Sequence, residues 1–158
     1  MVSLPIIMRS WIFQGRPSTF RIDDAVRELE KLTWLVKKNA GKMRDGDVVF
    51  LWRSEHNGNP AGVIAKAVLE GTIIPMFSPP EVVAYWTDPN MDNSREDRVW
   101  LRILEYHTDE SSMIQRNEAL DDDILSKMLV IRQPTGTNYE LTDMQAEVLG
   151  ALWAEKQD

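Results

Sequence analysis

Apolar and polar positions follow two different periods along this chain, and the changes of period mark its elements. Residues 10–14 (SWIFQ) form a short apolar run that Gly15, Arg16 and Pro17 break, which predicts a strand. Apolar positions then recur at Ile22, Ala25, Val26, Leu29, Leu32, Leu35 and Val36. That three-to-four spacing predicts an amphipathic helix over 23–37, with Asp23 as its N-cap and Asp24 near the positive end of the dipole. A basic stretch from Lys37 to Arg44 and a turn over 44–47 follow. Residues 47–53 (DVVFLWR) and 61–69 (AGVIAKAVL) read as strands, and the turn-forming SEHNGNP between them predicts a β-hairpin.

Residues 72–77 predict a further short strand, and the polar segment 86–97 a loop. Over 98–106 the period returns to two, with Val99, Leu101 and Ile103 on one face and Trp100 and Arg102 on the other, a half-buried strand. A short helix is expected over 117–128 and a final strand over 129–132. The pair Thr142-x-x-Gln145 reads as a capping box opening the last helix, striped by Met144, Val148, Leu149 and Leu152. Five or so strands with flanking helices, not strictly alternating, predict an α+β fold with a curled mixed sheet. With no repeat or linker, residues 1–158 are expected to be one domain, whole or part of a longer multidomain protein.

Composition narrows the class. Of 158 residues, 43% are apolar and 27% charged, as in a globular protein. No apolar run approaches the roughly 18 residues of a membrane span, and the opening MVSLPIIM is short for a secretory signal. Cysteine is absent, which excludes disulfides, thiolate ligands and cysteine nucleophiles; a cytoplasmic location is expected, with no membrane partner. The net charge of -7 argues against nucleic acid, yet it hides an asymmetry: residues 1–66 carry +4 and residues 67–158 carry -11. One basic face therefore remains open.

Little in the sequence points to catalysis. His56 and His107 lie far apart and read as solvated or structural. Asp121, Asp122 and Asp123 read as a solvated helix face, because three consecutive side chains do not converge on one point. Phosphate loops, dinucleotide fingerprints, nucleophile elbows and zinc-protease motifs are all missing. We therefore expect a non-enzyme with no catalytic residue, no metal and no cofactor. The compositional oddity is tryptophan, six in number. Trp11, Trp100 and Trp153 read as core; Trp34 and Trp86, at the edges of predicted elements, read equally as core or as walls of a pocket.

Together the residues carry a resemblance. The series W-I-F-Q-G-R-P at 11–17, I-D-D-A at 22–25, Trp34 then Asn39, D-G-D-V at 45–48, W-R-S at 52–54, Ala61-Gly62, Asp88-Pro89 and Arg98-Val99 resembles the EVE domain in order and spacing. That family belongs to the PUA-like superfamily and is related to the YTH readers of methylated RNA. The resemblance implies a strongly curved or barrel-like β-sheet with flanking helices. It also implies a non-catalytic reader that holds a flipped, modified base of DNA in an aromatic cage, as the specificity module of a modification-dependent restriction system. A nuclease or NTPase domain, in the same chain or a partner, would then act on the DNA.

By the same resemblance the base-binding candidates are Trp34 and Trp86 as cage walls, Gln14, Gly15 and Arg16 after the first strand, Asn39, and Trp52, Arg53 and Ser54 at the rim. Where many EVE proteins have W-L-x-K-S-E-P, this chain has Gln14 and Arg16 in place of the Lys and Glu, which resembles the restriction-associated branch. The basic residues Arg9, Arg21, Lys37, Lys38, Lys42 and Arg44 are the phosphate candidates, with Arg16 beside them. Methylated or hydroxymethylated cytosine and methylated adenine all remain open as the base. A modified nucleotide in RNA is the alternative ligand, and a small-molecule or protein-interaction domain the alternative class.

Overall fold

The computed structural model describes residues 8–88 and 90–156. Strand β1 (Ser10–Gly15) runs parallel to β3 (Val48–Arg53), with Trp11 opposite Val49 and Gln14 opposite Trp52. β3 turns back into β4 (Gly62–Met76) as the expected antiparallel hairpin, and β4 pairs with β5 (Glu96–Tyr106). The full sheet has seven strands, β2 (Lys31–Leu35), β5, β4, β3, β1 and β7 (Asn138–Glu140) in order, with the two-residue β6 (Ile114–Gln115) beside β4. All pairings except β1 with β3 are antiparallel.

Both faces of the central strands are buried, which is why β1 and β3 read as unbroken apolar runs. Trp11, Phe13, Val49 and Leu51 face one core, completed by α1 (Ile22–Glu28) and by Val82 of the short helix α2 (Pro80–Val83). Ile12, Phe50 and Trp52 face a second core, covered by α5 (Asp143–Lys156) through Leu149 and Trp153. Trp11 and Trp153 are thus core residues as expected, while Trp100 is half-buried. Gly62 lies so close to β6 that a Cβ there would sit 2.0 Å from the carbonyl oxygen of Ile114.

Three expected elements differ. The helix over 23–37 stops at Glu28, where Leu29 turns extended, and the chain continues as β2, with Trp34 opposite Val99 of β5. Leu32 and Val36 fit the helical period, but with Trp34 between them they also make a period of two, and β-branched Thr33 with Trp34 suits a strand. Asp23 is no N-cap; its carboxylate pairs with Arg53. Residues 129–132 form a single helical turn, α4 (Leu129–Arg132), that buries Val130 in the second core, and the last strand is β7. Four apolar residues cannot show a period, so tertiary packing decides them.

The separate strand over 72–77 is the end of β4, continued through Gly71 at φ +77°. The helix over 117–128 divides into α3 (Arg116–Leu120) and a 3-10 turn over Leu125–Lys127. Asp122 accepts hydrogen bonds from the amides of Ile124 and Leu125, so that acidic run caps a turn. The capping box of α5 forms as expected, with Thr142 N donating to Gln145 Oε1 at 3.0 Å and Gln145 N to Thr142 Oγ1 at 3.1 Å. Its buried stripe is Gln145, Leu149 and Trp153, whereas Met144 is exposed.

The sheet is curled but not closed into a barrel by backbone pairing: β2 and β7 are its two edges. Asn138 of β7 spans the gap. Its Nδ2 donates to Leu35 O at 3.0 Å, and its Oδ1 accepts from Lys37 N at 2.7 Å.

Candidate functional site: a cavity at the seam of the sheet

A cavity of about 210 Å³ lies where the sheet fails to close. Its walls come from the end of β1 (Gln14, Gly15), from Arg16 and Phe20 in the following loop, and from the free edge of β2. Glu30 O and Val36 N bond toward β5, so strand alternation turns the peptide groups of Thr33 and Leu35 to the opposite edge, the cavity side. Ser78, Val82, Trp86, Met91, Asp92, Glu96, Arg98 and Thr137 complete the lining. The volume falls below the roughly 300 Å³ lower bound for drug-sized ligand pockets, which suits one flat ring system.

Trp34 is 6% exposed; Phe20 meets it edge-on at 6.0 Å and Phe13 lies at 6.4 Å. It therefore spends most of its ring on the core and turns a limited part to the cavity. Trp86 is only half-buried and has more ring to offer. Its loop is fixed by an antiparallel bridge between Phe20 and Trp86, flanked by Arg21 N to Tyr85 O at 2.8 Å and Thr87 N to Thr19 O at 3.1 Å. The two tryptophans thus belong to separate loop-and-strand systems that Phe20 connects.

Gln14 is buried, and its Nε2 donates to both Pro134 O and Gly136 O at 2.8 Å. Both amide hydrogens are committed, so Gln14 can meet a ligand only as an acceptor. Arg16 donates to Thr135 O at 3.0 Å and is exposed at the mouth. The hydroxyls of Thr33 and Ser78 are buried without a hydrogen-bond partner among the described residues. Glu96 lies below its ordinary carboxylate pKa, chiefly through its hydrogen bond with Lys37.

Four of the base-binding candidates lie elsewhere. Trp52 is 2% exposed in the second core; it stands opposite Gln14 in the β1–β3 register and is no part of the cavity lining. Arg53 is buried beneath α1, where it pairs with Asp23 at 3.0 Å and donates to Pro60 O and Thr108 O. Ser54 extends the β1–β3 ladder through its amide, bonded to Gly15 O at 3.0 Å, and is no part of the lining. Asn39, left-handed at φ 65°, borders a separate depression with Lys38, Lys42 and Tyr139. Burial holds the Tyr139 phenol above its ordinary pKa.

Most phosphate candidates already have partners. Glu140 holds Arg9 at 3.4 Å and Lys42 at 3.3 Å; Lys37 pairs with Glu96 at 2.8 Å and Arg21 with Asp24 at 3.1 Å. Arg44 donates to the carbonyls of Gly41 and Met43. Lys38 is exposed and makes no ion pair among the described residues. Exposed pairs of this kind are worth little and exchange readily. The residues that the sequence reading missed are Phe20, Thr33, Ser78, Glu96 and Arg98. Only Arg98 left a sign, as a charge at the head of an apolar strand. Pro89, in the quoted Asp88-Pro89 pair, lies outside the described residues.

A curled mixed sheet with a small, aromatic-walled cavity at its seam is a PUA-like architecture with a candidate ligand site. The chain belongs to the EVE domain family, whose model matches residues 9–152. Solved structures share the fold across nearly the whole length. A hypothetical protein from Leishmania major is 18% identical with a TM-score of 0.70, over 96% of this chain and 98% of its own. A Pseudomonas putida protein is 16% identical with a TM-score of 0.64, over 91% and 99%. Human THYN1, solved in complex with DNA containing 5-methylcytosine, is 14% identical with a TM-score of 0.60, over 92% and 97%. No curated protein matches the chain.

Proposed function

We propose that the protein is a non-catalytic reader of modified bases in DNA, holding one flipped base in the seam cavity between Trp34, Trp86 and the end of β1. The observation that carries this reading is the cavity itself: ring-sized, aromatic-walled and open beside Arg16. The methylcytosine DNA in the THYN1 structure supports it. Extruding a base costs a few kcal/mol, least where pairing is weak. Stacking returns roughly 1–3 kcal/mol per base contact, here mostly from Trp86. A methyl group adds only about 0.8 kcal/mol, so discrimination requires hydrogen bonds from the cavity wall.

Phosphate contacts come from Arg16 and Lys38, and from Arg21 and Lys37 once their carboxylate partners are exchanged. The acidic half of the chain opposes them, so affinity is modest and salt-sensitive. In this reading the domain supplies specificity, as in a restriction system, and a nuclease or NTPase in a partner or adjoining domain does the work on DNA. The test is a titration at two salt concentrations with duplexes carrying unmodified, methylated or hydroxymethylated cytosine or methylated adenine, and with the RNA counterparts. Preference for one modified DNA base, weakening as salt rises, is expected. Preference for RNA, or equal binding of modified and plain duplexes, overturns the reading.

A further inference from the structure

Arg98 is a buried cation in the cavity wall whose ion pair is loose. It is 6% exposed and begins the buried part of β5, opposite Leu35 on the free edge of β2. Its Nε donates to Met76 O at 3.0 Å, and Nη2 lies 3.4 Å from Ser94 O. Its ion pair is with Glu96, from Nη2 to Oε2 at 3.7 Å, and Lys37 holds the other oxygen of that carboxylate, Oε1, at 2.8 Å. Nη1 has no hydrogen-bond partner among the described residues. Burial is the main influence on this guanidinium and lowers its pKa. Buried charges are normally paired, and one left under-coordinated in a ligand cavity points to the ligand.

A guanidinium only donates, and its fork fits two neighbouring acceptors. Cytosine offers that pair as its O2 carbonyl and N3. Adenine sets the acceptor beside an amino donor on its Watson–Crick and Hoogsteen edges, a pattern that an amide matches instead. Gln14 provides an acceptor in the same wall for the exocyclic amino group of cytosine.

Resting on the modified-base reading, we propose that Arg98 donates to the carbonyl oxygen of the inserted base and makes this a pocket for modified cytosine rather than modified adenine. Arg98 is then a specificity residue, separate from the basic residues of the rim.

The test uses the full chain and its R98M and R98K variants, each confirmed folded by thermal melting. Duplexes carry one 5-methylcytosine, one N6-methyladenine or no modification, across a salt series. The parent is expected to prefer 5-methylcytosine, and R98M to lose about ten- to hundredfold in that affinity, with binding of plain duplex and the salt slope unchanged. R98K recovers part of the loss. A uniform weakening on every duplex, with a shallower salt slope, makes Arg98 a phosphate contact and overturns the proposal.

A second arm avoids any folding effect of the variants. The parent is titrated with a 5-methylcytosine analogue in which the ring carbonyl oxygen is replaced by sulfur, a much weaker hydrogen-bond acceptor. A loss of at least about tenfold is expected. Undiminished binding of the analogue, or a parent preference for N6-methyladenine, overturns the role of Arg98 while leaving a modified-base reader. A parent with no preference among the duplexes overturns both.

Discussion

Gly15 lets the Trp34 indole lie directly against the end of β1: a Cβ on residue 15 would stand 3.1 Å from Cη2 of Trp34 and 2.8 Å from Cδ1 of Ile22. The flexible Ile22 methyl can yield, but the rigid indole has to tilt. Gly15→Ala is therefore expected to keep the fold at a cost of about 1–3 kcal/mol of overpacking. It is also expected to abolish modified-base preference, because the cavity wall moves. Thermal melts paired with duplex titrations check both halves, and unchanged preference would detach Trp34 from recognition.

The two cavity tryptophans separate stability from binding. Trp34→Ala is the harsher of the two substitutions. Within the first core it is expected to cost about 3–5 kcal/mol and to compromise the fold. Trp86→Ala removes a half-buried ring from a loop. It should lower affinity for the modified base by about 1–3 kcal/mol with a much smaller change in melting temperature. Denaturant titrations of both variants alongside binding assign each role.

Arg53 belongs to the fold. Its guanidinium is 3% exposed and joins α1, through Asp23, to the end of β3. Asp23→Asn weakens that charge-assisted bond, and a loss of about 1.5–3 kcal/mol in stability is expected. Affinity of the folded fraction for DNA should not change. A selective loss of modified-base binding would return Arg53 to the site.

Asn138→Leu tests the seam. The substitution leaves Leu35 O and Lys37 N without the side chain that satisfies them, at about 1–3 kcal/mol. Amide exchange at Lys37 should accelerate well beyond the global change, because β2 is an edge strand. Uniform exchange rates across the sheet would mean that Asn138 carries no special share of the closure.

Glu96 gives a pH signature. Its folded pKa lies below the ordinary 4.5, chiefly through the hydrogen bond with Lys37 and with Coulombic help from Lys37 and Arg98. A carboxylate depressed in the folded state contributes stability that is complete above its unfolded pKa and disappears as pH falls through the folded one. Glu96→Gln is therefore expected to melt slightly below the parent at neutral pH and together with it in strong acid. A gap between the two that persists unchanged into strong acid would remove the pair from the stability balance.

Much of the chain was readable from local pattern. The strands around Phe13, Phe50 and Leu101 announced themselves because their residues are buried on one or both faces whatever the neighbours. Thr142 and Gln145 signalled their helix start through chemistry confined to four residues. The order of motifs placed Trp34, Trp86, Gln14, Gly15 and Arg16 near one another, and they do line one cavity. Where two periods both fit, as at Leu32 and Val36, the sequence alone chose the helix. The outcome was decided by β5, whose free edge accepts β2.

The composition, the apolar periods and the motif order by themselves determined an α+β chain of the EVE type with tryptophans to spare. Tertiary structure alone decided which tryptophan packs and which is open to a ligand: Trp52 is closed into the second core, whereas Trp86 stays half-buried in a loop at the cavity. It also decided that Arg53 is anchored while Arg98 stands under-coordinated beside the cavity. That distinction depends on what arrives from elsewhere in the chain: Asp23 comes within 3.0 Å of Arg53, whereas Lys37 shares Glu96 with Arg98 and leaves the guanidinium a looser pair at 3.7 Å. Pairings between residues far apart in sequence leave no local pattern, so only the folded chain reveals them.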